Sequence, residues 1–331
     1  MNAGNAAAEA STDGQGWLSQ RERGTVFMIH MAFRMAQMVG RTLMKPVVFV
    51  IALFYRLTDK KAVSASRDWL RRVHGRPATF RETFRHIHTF TQVTLDRVLL
   101  VSGRNSSFAF SRDGDHHIAA QFASGRGAVL LGGHLGSFEA MRSGGEEDRV
   151  KINILGHFSR AHMINALLEK LDPDRAATVI HIGDDPVGQM ARVHDRIEAG
   201  DFVALLGDRT GLNDRTVTVN FLGEPARFPA GPFLLAALMK CPVYITFGLY
   251  RRPNRYDLSC EPFAEQLKLP RKDRDAALQE VVQRYANRLE HYARSAPYNW
   301  FNFYDFWQDE SPGASPRPDE PADQRRSAQA P

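Results

Sequence analysis

Short apolar runs alternate with helix-like stretches along most of the chain beyond residue 62. Runs of four to seven mostly apolar residues predict buried strands, whereas apolar residues three and four apart predict helices. The predicted strands are Ala128–Leu131, Lys151–Leu155, Ala177–Ile182, Phe202–Leu206, Thr216–Phe221 and Val243–Leu249, and His162–Leu171 and Val187–Ala199 are predicted helices between them. This alternation predicts an α/β fold with a central mixed or largely parallel sheet covered by helices.

The chain is also largely apolar from Gly24 to Leu57, but this stretch is repeatedly interrupted. The interruptions are Arg34, Arg41, Lys45 and Pro46. They leave no charge-free run of about 18 residues, which a transmembrane helix needs. No small-residue cleavage pattern follows a basic start, which argues against a signal peptide. We therefore expect N-terminal helices that lie in or on a membrane surface, with an ordinary buried helical hairpin as the alternative.

Composition and length limit the number of domains. A chain of 331 residues with 43% hydrophobic residues can bury one substantial core or two modest ones. We predict a disordered leader (1–16), a membrane-associating helical segment (17–61), an α/β domain (62–307) and a disordered tail (308–331). Two cysteines are too few for a disulfide framework or a four-cysteine zinc site, and they indicate a reducing compartment.

The formal net charge of +6 is modest, but part of the positive charge is concentrated after the apolar stretch. The basic residues there are Arg56, Lys60, Lys61, Arg67, Arg71, Arg72 and Arg76. Such a run suits an anionic membrane surface or a phosphate-bearing substrate, and a solvated helix face is the alternative. No recognised nucleic-acid-binding motif is present, so no nucleic acid is expected as a partner.

The most informative motif follows the strand predicted at Ala128–Leu131, in the sequence GGHLGSFE. His134 and Glu139 would diverge by about 140° on one continuous helix. They can meet only if His134 lies in a loop and Glu139 in the first helical turn, a break that Gly136 and the N-capping Ser137 would supply. A carboxylate on one ring nitrogen fixes the tautomer of the imidazole and leaves the other nitrogen to act as a general base. The carboxyl end of a strand is also where such sheets bind ligands.

The segment GGHLGSFEAMR resembles the His-x-x-x-x-Asp/Glu block of the lysophospholipid acyltransferase superfamily. Its closest likeness is to bacterial late lipid A (lauroyl/myristoyl) acyltransferases and related predicted acyltransferases. FVALLGDR and FPAGPFLLAALMKCPVYITFGLYR agree with further blocks of that family in order and spacing, so that the resemblance covers roughly residues 25–307. Two departures concern the substrates: FPAG lacks the Pro-Glu-Gly-Thr form of glycerol-phosphate acyltransferases, and GDR replaces the more usual residues after the Asp.

The resemblance implies an acyltransferase in which His134 is the general base and Glu139 orients it. It implies direct transfer from an acyl thioester, on acyl carrier protein or coenzyme A, to a lipid or glycolipid acceptor, with no cofactor, metal or covalent acyl-enzyme. It further implies lipid A biosynthesis at the cytoplasmic face of a bacterial inner membrane. The candidate substrate-binding residues are Gly133, Gly136, Ser137, Arg175, Asp208, Arg209, Arg227, Phe228 and Gly231. A surface role is the alternative for Arg175 and Arg227, and loop capping is the alternative for Asp208.

Two other functions are compatible with the sequence. One is a non-catalytic lipid-binding member of the same fold. The other is an α/β hydrolase, although Ser137 lacks the Gly-x-Ser-x-Gly nucleophile elbow that such an enzyme needs. The run Asp113–His117 contains possible metal ligands but favours a polar loop, since no further ligands follow at matching spacing. The aromatic run Tyr298–Trp307 predicts core or interfacial packing.

Overall fold

A computed structural model describes residues 38–144, 150–156, 179–181, 186–210 and 215–307. Its helices are α1 (Lys45–Thr58), α2 (Lys60–His74), α3 (Phe80–Val101), α4 (Asp115–Ala123), α5 (Phe138–Gly144), α6 (Pro186–Glu198), α7 (Gly231–Met239) and α8 (Arg274–Ser295). Its strands are β1 (Ala109–Asp113), β2 (Ala128–Gly132), β3 (Ile152–Gly156), β4 (Val179–His181), β5 (Phe202–Leu206), β6 (Thr216–Phe221), β7 (Glu224–Pro229), β8 (Val243–Arg251) and β9 (Arg255–Ala264).

The central sheet has seven strands in the order β1-β9-β8-β2-β5-β3-β4. Strands β8, β2, β5, β3 and β4 run parallel to one another, and β9 is antiparallel to β8. Strand β1 pairs in parallel with β9 at the edge. The remaining two strands, β6 and β7, form a separate antiparallel hairpin. The predicted mixed sheet flanked by helices is therefore confirmed.

The predicted strands agree closely with the observed ones. Phe202–Leu206 and Thr216–Phe221 have the predicted bounds, and the other four differ from prediction by at most two residues at either end. The helix predicted at Val187–Ala199 is α6, whereas the helix predicted at His162–Leu171 lies outside the described residues. The sequence analysis did not predict β1, β7, β9 or α8. The run predicted as a polar loop at Asp113–His117 instead joins the end of β1 to the start of α4. Within the described residues, no cluster of three or more His, Cys, Asp and Glu side chains is placed to hold a metal ion.

The main hydrophobic core lies between the sheet and α8. Leu278, Val282, Tyr285 and Leu289 follow one another at helical spacing along α8, and all four are buried. They belong to the same cluster as the inward-facing residues of β2, β5 and β8 and the indole of Trp300. This packing fixes α8 and the segment that follows it against the carboxyl ends of the central strands.

Helix α1 is apolar on two faces, and only one of them is covered. Val48, Ala52 and Arg56 are buried at intervals of four residues, on the face that packs against α3. A second stripe, formed by Val50, Phe54 and Leu57, is exposed to solvent, as is Leu43 just before the helix. No described helix is both long enough and apolar enough to cross a bilayer. The boundary predicted at residues 61/62 falls inside α2, and the predicted leader and tail lie outside the described residues.

A buried polar cluster ties the N-terminal segment to the domain. Arg41 donates from Nε to Oδ1 of Asp96 at 2.8 Å and from Nη2 to Oδ2 at 3.1 Å. The same carboxylate accepts hydrogen bonds from Gln92 on α3 and from the hydroxyl of Tyr256 on β9. Arg41 also donates to the hydroxyl of Tyr250 on β8. Since Asp96 is fully buried, water does not stabilise its charge, and burial raises its pKa although Arg41, Gln92 and Tyr256 oppose this.

Candidate active site

The predicted base and an acidic residue meet where two neighbouring strands end. Strands β2 and β5 are adjacent and parallel, with Gly132 opposite Leu206 at their carboxyl ends. His134 lies two residues beyond β2, and Asp208 lies two residues beyond β5. The side chains are 74 positions apart in sequence but in direct contact. The site therefore lies at the carboxyl edge of the sheet, where strand-end loops bind ligands in open α/β folds.

Asp208 holds the imidazole of His134. Nδ1 of His134 lies 2.8 Å from Oδ1 of Asp208, and the backbone N–H of His134 donates to Oδ2, also at 2.8 Å. Oδ2 accepts two further bonds, from the indole N–H of Trp300 at 2.9 Å and the amide of Asn302 at 3.3 Å. An ionised carboxylate can only accept hydrogen bonds, so Nδ1 of His134 carries the proton. Nε2 is then the nitrogen that can take a proton from a substrate.

The surroundings keep this imidazole neutral near pH 7. Burial lowers the pKa of His134 below its ordinary value of 6.5, the Arg209 cation lowers it further, and the Asp208 carboxylate opposes both. Burial raises the pKa of Asp208, but its interactions with His134 and Arg209 outweigh this and hold the pKa below 3.8. The result is a neutral base beside an ionised carboxylate, which is the pairing that general-base catalysis requires.

Two glycines shape the loop around His134. A Cβ on Gly133 would lie 3.2 Å from the carboxyl carbon of Asp208 and 3.1 Å from the hydroxyl of Tyr285. Gly136 has a φ of +81°, and a Cβ there would clash with the backbone carbonyl of Gly248 on β8. Ser137 then accepts a hydrogen bond from the backbone N–H of Ala140 at 3.2 Å, so it caps α5 as predicted. The loop is therefore held tightly against β8 and Asp208.

The chain was compared with protein-family models. The model of the bacterial lipid A biosynthesis acyltransferases matches residues 74–309, which include the whole sheet and both strand-end loops. The chain belongs to this family. A search of curated protein sequences finds no match. The protein is thus an acyltransferase of the lipid A biosynthesis type, and its family transfers an acyl group to a lipid-like acceptor.

In the acyltransferase, Glu139 does not contact His134 as the sequence analysis expected. Asp208 makes the bond to the ring nitrogen, while the carboxylate of Glu139 lies 2.7 Å from Nε of Arg97 on α3. Glu139 does occupy the first turn of α5, and His134 does lie in the loop before it, as predicted. The expected contact is replaced because β5 brings a closer carboxylate to the same ring nitrogen. A catalytic role for Glu139 remains a prediction.

The other predicted site residues of the acyltransferase lie at different distances from this centre. Arg209 donates from Nε to Asn302 at 2.6 Å and from Nη2 to the carbonyl of Phe301 at 2.8 Å, which fixes the cation beside His134. Phe228 is a core residue of β7 whose ring packs on Tyr285, with centroids 6.1 Å apart. Its neighbour Arg227 is half-buried on β7, and Gly231 is exposed at the start of α7. Arg175 lies outside the described residues.

Two backbone amides near the start of α5 already have protein acceptors. The N–H of Gly136 donates to the carbonyl of Asn299, and the N–H of Ser137 donates to the carbonyl of Gly248, both at 2.8 Å. These two amides are therefore not available to a developing oxyanion.

The sequence analysis missed two residues that contact the acidic partner of His134. Trp300 and Asn302 belong to the run predicted as packing, and both side chains donate to Asp208. Two asparagines interrupt that run, Asn299 and Asn302, and both are buried. A buried amide must find hydrogen-bond partners, so an asparagine within an aromatic run was the one available signal.

Proposed function

We propose that the acyltransferase moves a fatty acyl group from an acyl thioester, on acyl carrier protein or coenzyme A, to a hydroxyl or amine of a lipid-like acceptor, with His134 as general base. The observation that carries this proposal is the hydrogen bond from Nδ1 of His134 to the buried carboxylate of Asp208. It leaves Nε2 unprotonated, on a side chain that is 25% exposed and so open to a substrate.

The proposed transfer needs one bond to form and one to break at the thioester carbon. Nε2 of His134 takes the proton from the acceptor hydroxyl or amine as that oxygen or nitrogen attacks the thioester carbonyl. The carbon–sulfur bond then breaks, and the thiolate leaves and takes the proton from the imidazolium. Asp208 stabilises the imidazolium between the two steps without taking up the proton itself.

No side chain near the described site is suited to form a covalent acyl-enzyme. Ser137 is buried, and its hydroxyl oxygen accepts the N-capping bond from Ala140. Burial raises the pKa of Cys241 to about 11 and that of Cys260 to about 12, so both thiols are protonated at neutral pH. We therefore expect direct transfer through a ternary complex of enzyme, donor and acceptor.

The test is acyl transfer from labelled acyl carrier protein or acyl-coenzyme A to lipid extract, followed by mass spectrometry of the lipids. His134→Ala should lower the rate by ~10²–10⁴-fold, the usual contribution of a general base. His116→Ala, which removes an exposed histidine of α4, is the matched control and should leave the rate unchanged. Near-normal turnover by His134→Ala would contradict the proposed mechanism. Binding of lipid without turnover by the wild type would instead favour the non-catalytic alternative.

The role of the acidic partner can be assigned in the same assay. If Asp208 orients the base, Asp208→Asn should reduce the rate nearly as much as His134→Ala, and the two losses should be strongly non-additive. The sequence analysis predicts the same behaviour for Glu139→Ala. A large loss for only one of the two carboxylates decides which of them acts with His134.

We also propose that the acyltransferase works at the cytoplasmic face of a bacterial inner membrane, as a peripheral or monotopic protein. The support is the exposed apolar stripe of α1, in which Val50 is 63% and Phe54 is 56% exposed. The basic run contributes less than its sequence suggested. Of its seven members, Arg56, Arg71, Arg72 and Arg76 bond to other side chains. Lys60, Lys61 and Arg67 are exposed and remain for an anionic surface.

Sedimentation with vesicles separates the apolar from the electrostatic contribution. Val50→Gln combined with Phe54→Gln should abolish most binding to vesicles of phosphatidylethanolamine and phosphatidylglycerol, and Val187→Gln, at an exposed site on α6, should not. High salt should release only part of the wild-type protein, because apolar burial is not screened. Complete release by salt would reduce the contact to charge attraction, and no binding at all would exclude a membrane contact of this kind.

A further inference from the structure

The segment Asn299–Asn302 crosses the site and pairs with the loop that carries His134. The N–H of Phe301 donates to the carbonyl of His134 at 2.8 Å, and the carbonyl of Asn299 accepts from Gly136 at the same distance. Between these bonds, Leu135 and Trp300 form an antiparallel bridge. The backbone of the catalytic loop is thus fixed from one side by a short strand-like segment near residue 300.

Two side chains of this segment also determine how Asp208 is oriented. Trp300 and Asn302 both donate to Oδ2, which accepts the backbone N–H of His134 as well. Three donors on Oδ2 leave Oδ1 as the oxygen that faces Nδ1 of His134. All of these side chains except that of His134 are almost fully buried, so water does not replace a lost donor.

Trp300 is itself held at its backbone and at its ring. Nε2 of His86 lies 2.8 Å from the carbonyl of Trp300, and Nδ1 lies 2.9 Å from the hydroxyl of Ser66. Because a carbonyl can only accept, Nε2 of His86 carries the proton and Nδ1 accepts from Ser66. The indole packs on that of Trp69, with ring centroids 4.3 Å apart. The donor to Asp208 is therefore anchored from α2 and α3.

From this arrangement we propose that Trp300 and Asn302 are positioning residues of the reaction centre, which act on His134 through Asp208. Neither is expected to touch substrate. Their hydrogen bonds keep the carboxylate oriented and partly neutralise its negative charge. As a result His134 stays neutral and its Nε2 stays unprotonated. The catalytic consequence of this inference rests on the proposed function. The effect of the two residues on the titration of His134 does not.

The direction of that effect follows from charge. With one donor fewer on Oδ2, the carboxylate stabilises the imidazolium more strongly, so the pair takes up its proton at a higher pH. The other charged and titratable groups near the pair are Arg209, Tyr285 and Tyr304. A substitution at Trp300 leaves all three in place, so a change in titration reports the lost N–H.

The test compares Trp300→Phe with Trp69→Phe in the full chain. Both indoles are 1% exposed, and the N–H of Trp69 donates to the carbonyl of Pro297 at 2.7 Å, away from Asp208. Each variant therefore loses one buried indole donor from the same aromatic cluster. The readout is NMR titration of histidine-labelled protein, with the His134 signal assigned by its absence in His134→Gln. We expect the pKa of His134 to rise by about half a unit or more in Trp300→Phe. It should change much less in Trp69→Phe, which keeps an aromatic ring against Trp300 and leaves the indole donor to Asp208 in place.

Kinetics supply the catalytic part of the test. Trp300→Phe should lower kcat by roughly 10- to 100-fold with little change in KM, since it affects the base and not the binding of substrate. The acidic limb of its pH–rate profile should move to higher pH. Asn302→Leu should act in the same direction, because it removes a donor to Oδ2 of Asp208 and also a partner of Arg209, the cation that lowers the pKa of His134. It carries the test if Trp300→Phe does not fold.

The outcomes separate this inference from the proposed function. Equal changes in Trp300→Phe and Trp69→Phe, or an unchanged His134 titration in both Trp300→Phe and Asn302→Leu, would overturn the positioning role. A shifted titration in a protein that transfers no acyl group would retain the positioning role and reject the proposed function.

Discussion

The ion pair between Arg41 and Asp96 gives a quantitative test of how the N-terminal helices are attached. Arg41 is 8% exposed and Asp96 is fully buried, and they form a bidentate ion pair. Arg41→Met keeps most of the apolar part of the side chain but removes both hydrogen bonds to the carboxylate. The carboxylate then keeps only the donors from Gln92 and Tyr256. Removing one partner of a buried pair costs about 3–5 kcal/mol, a large part of the ~5–15 kcal/mol that stabilises a typical domain.

Urea unfolding of the full chain in mild detergent, followed by circular dichroism, measures this loss. Arg67→Met is the matched control, because Arg67 is exposed on the neighbouring helix, and it should change the free energy of unfolding by no more than ~0.5 kcal/mol. Adding Asp96→Asn to Arg41→Met should recover part of the loss, since no unpaired charge then remains buried. A cost below ~1 kcal/mol for Arg41→Met would refute the reasoning.

The same pair changes what a truncated protein would report. A chain that starts near Ala62 lacks the exposed apolar stripe of α1, and this loss favours solubility. It also lacks Arg41, so Asp96 is left buried without its cation. We therefore expect such a chain to be less stable, and substitutions on the exposed stripe test membrane binding more cleanly than truncation does.

Three further predictions concern the thiols, a buried histidine and a loop glycine. Replacing Cys241 and Cys260 by serine should leave the acyl-transfer rate within about threefold, and intact mass spectrometry after incubation with donor alone should find no acyl-protein adduct. Burial lowers the pKa of His86 from 6.5 to about 4. Its contribution to stability, roughly 3 kcal/mol, is therefore present above pH 6.5 and is lost as the pH falls through 4. In urea titrations, His86→Gln should lose less stability than the wild type between pH 7 and 4, and equal losses would contradict this. Gly136→Ala should abolish most activity because its Cβ has no room, whereas Gly75→Ala, also at positive φ but with nothing within 4 Å, should retain activity at a cost of ~1 kcal/mol.

The strands that the sequence predicted are those with strong local signals. Phe202–Leu206 is a compact apolar run flanked by polar residues, and its burial on both faces of a parallel sheet matches that pattern. Strand β1, Ala109–Asp113, is largely exposed and forms only by pairing with β9, whose residues lie about 146 positions later. No local pattern encodes a pairing at that distance, so β1 could not be predicted from its own residues.

For the site, sequence reasoning named both His134 and Asp208 as candidate residues but did not pair them. His134 and Asp208 were both singled out as strand-end residues. Glu139 was assigned to the imidazole because it is near in sequence, whereas strand order decides which carboxylate is near in space. Adjacency of β2 and β5 places Asp208 on the ring nitrogen. That adjacency depends on the assembled sheet, and the same holds for the contacts of Trp300 and Asn302.

The pairing of Asn299–Asn302 with the loop of His134 can form only late in the synthesis of the chain. His134 and Asp208 leave the ribosome long before residue 302. Until then, Oδ2 of Asp208 has neither Trp300 nor Asn302 as a donor, and the carbonyl of His134 has no Phe301 to bind. A nascent chain that ends at β9 therefore lacks these contacts, and it also lacks α8, which covers the sheet. If His134 acts as proposed, translation that stops before Asn299 yields a chain without the residues that orient its carboxylate partner.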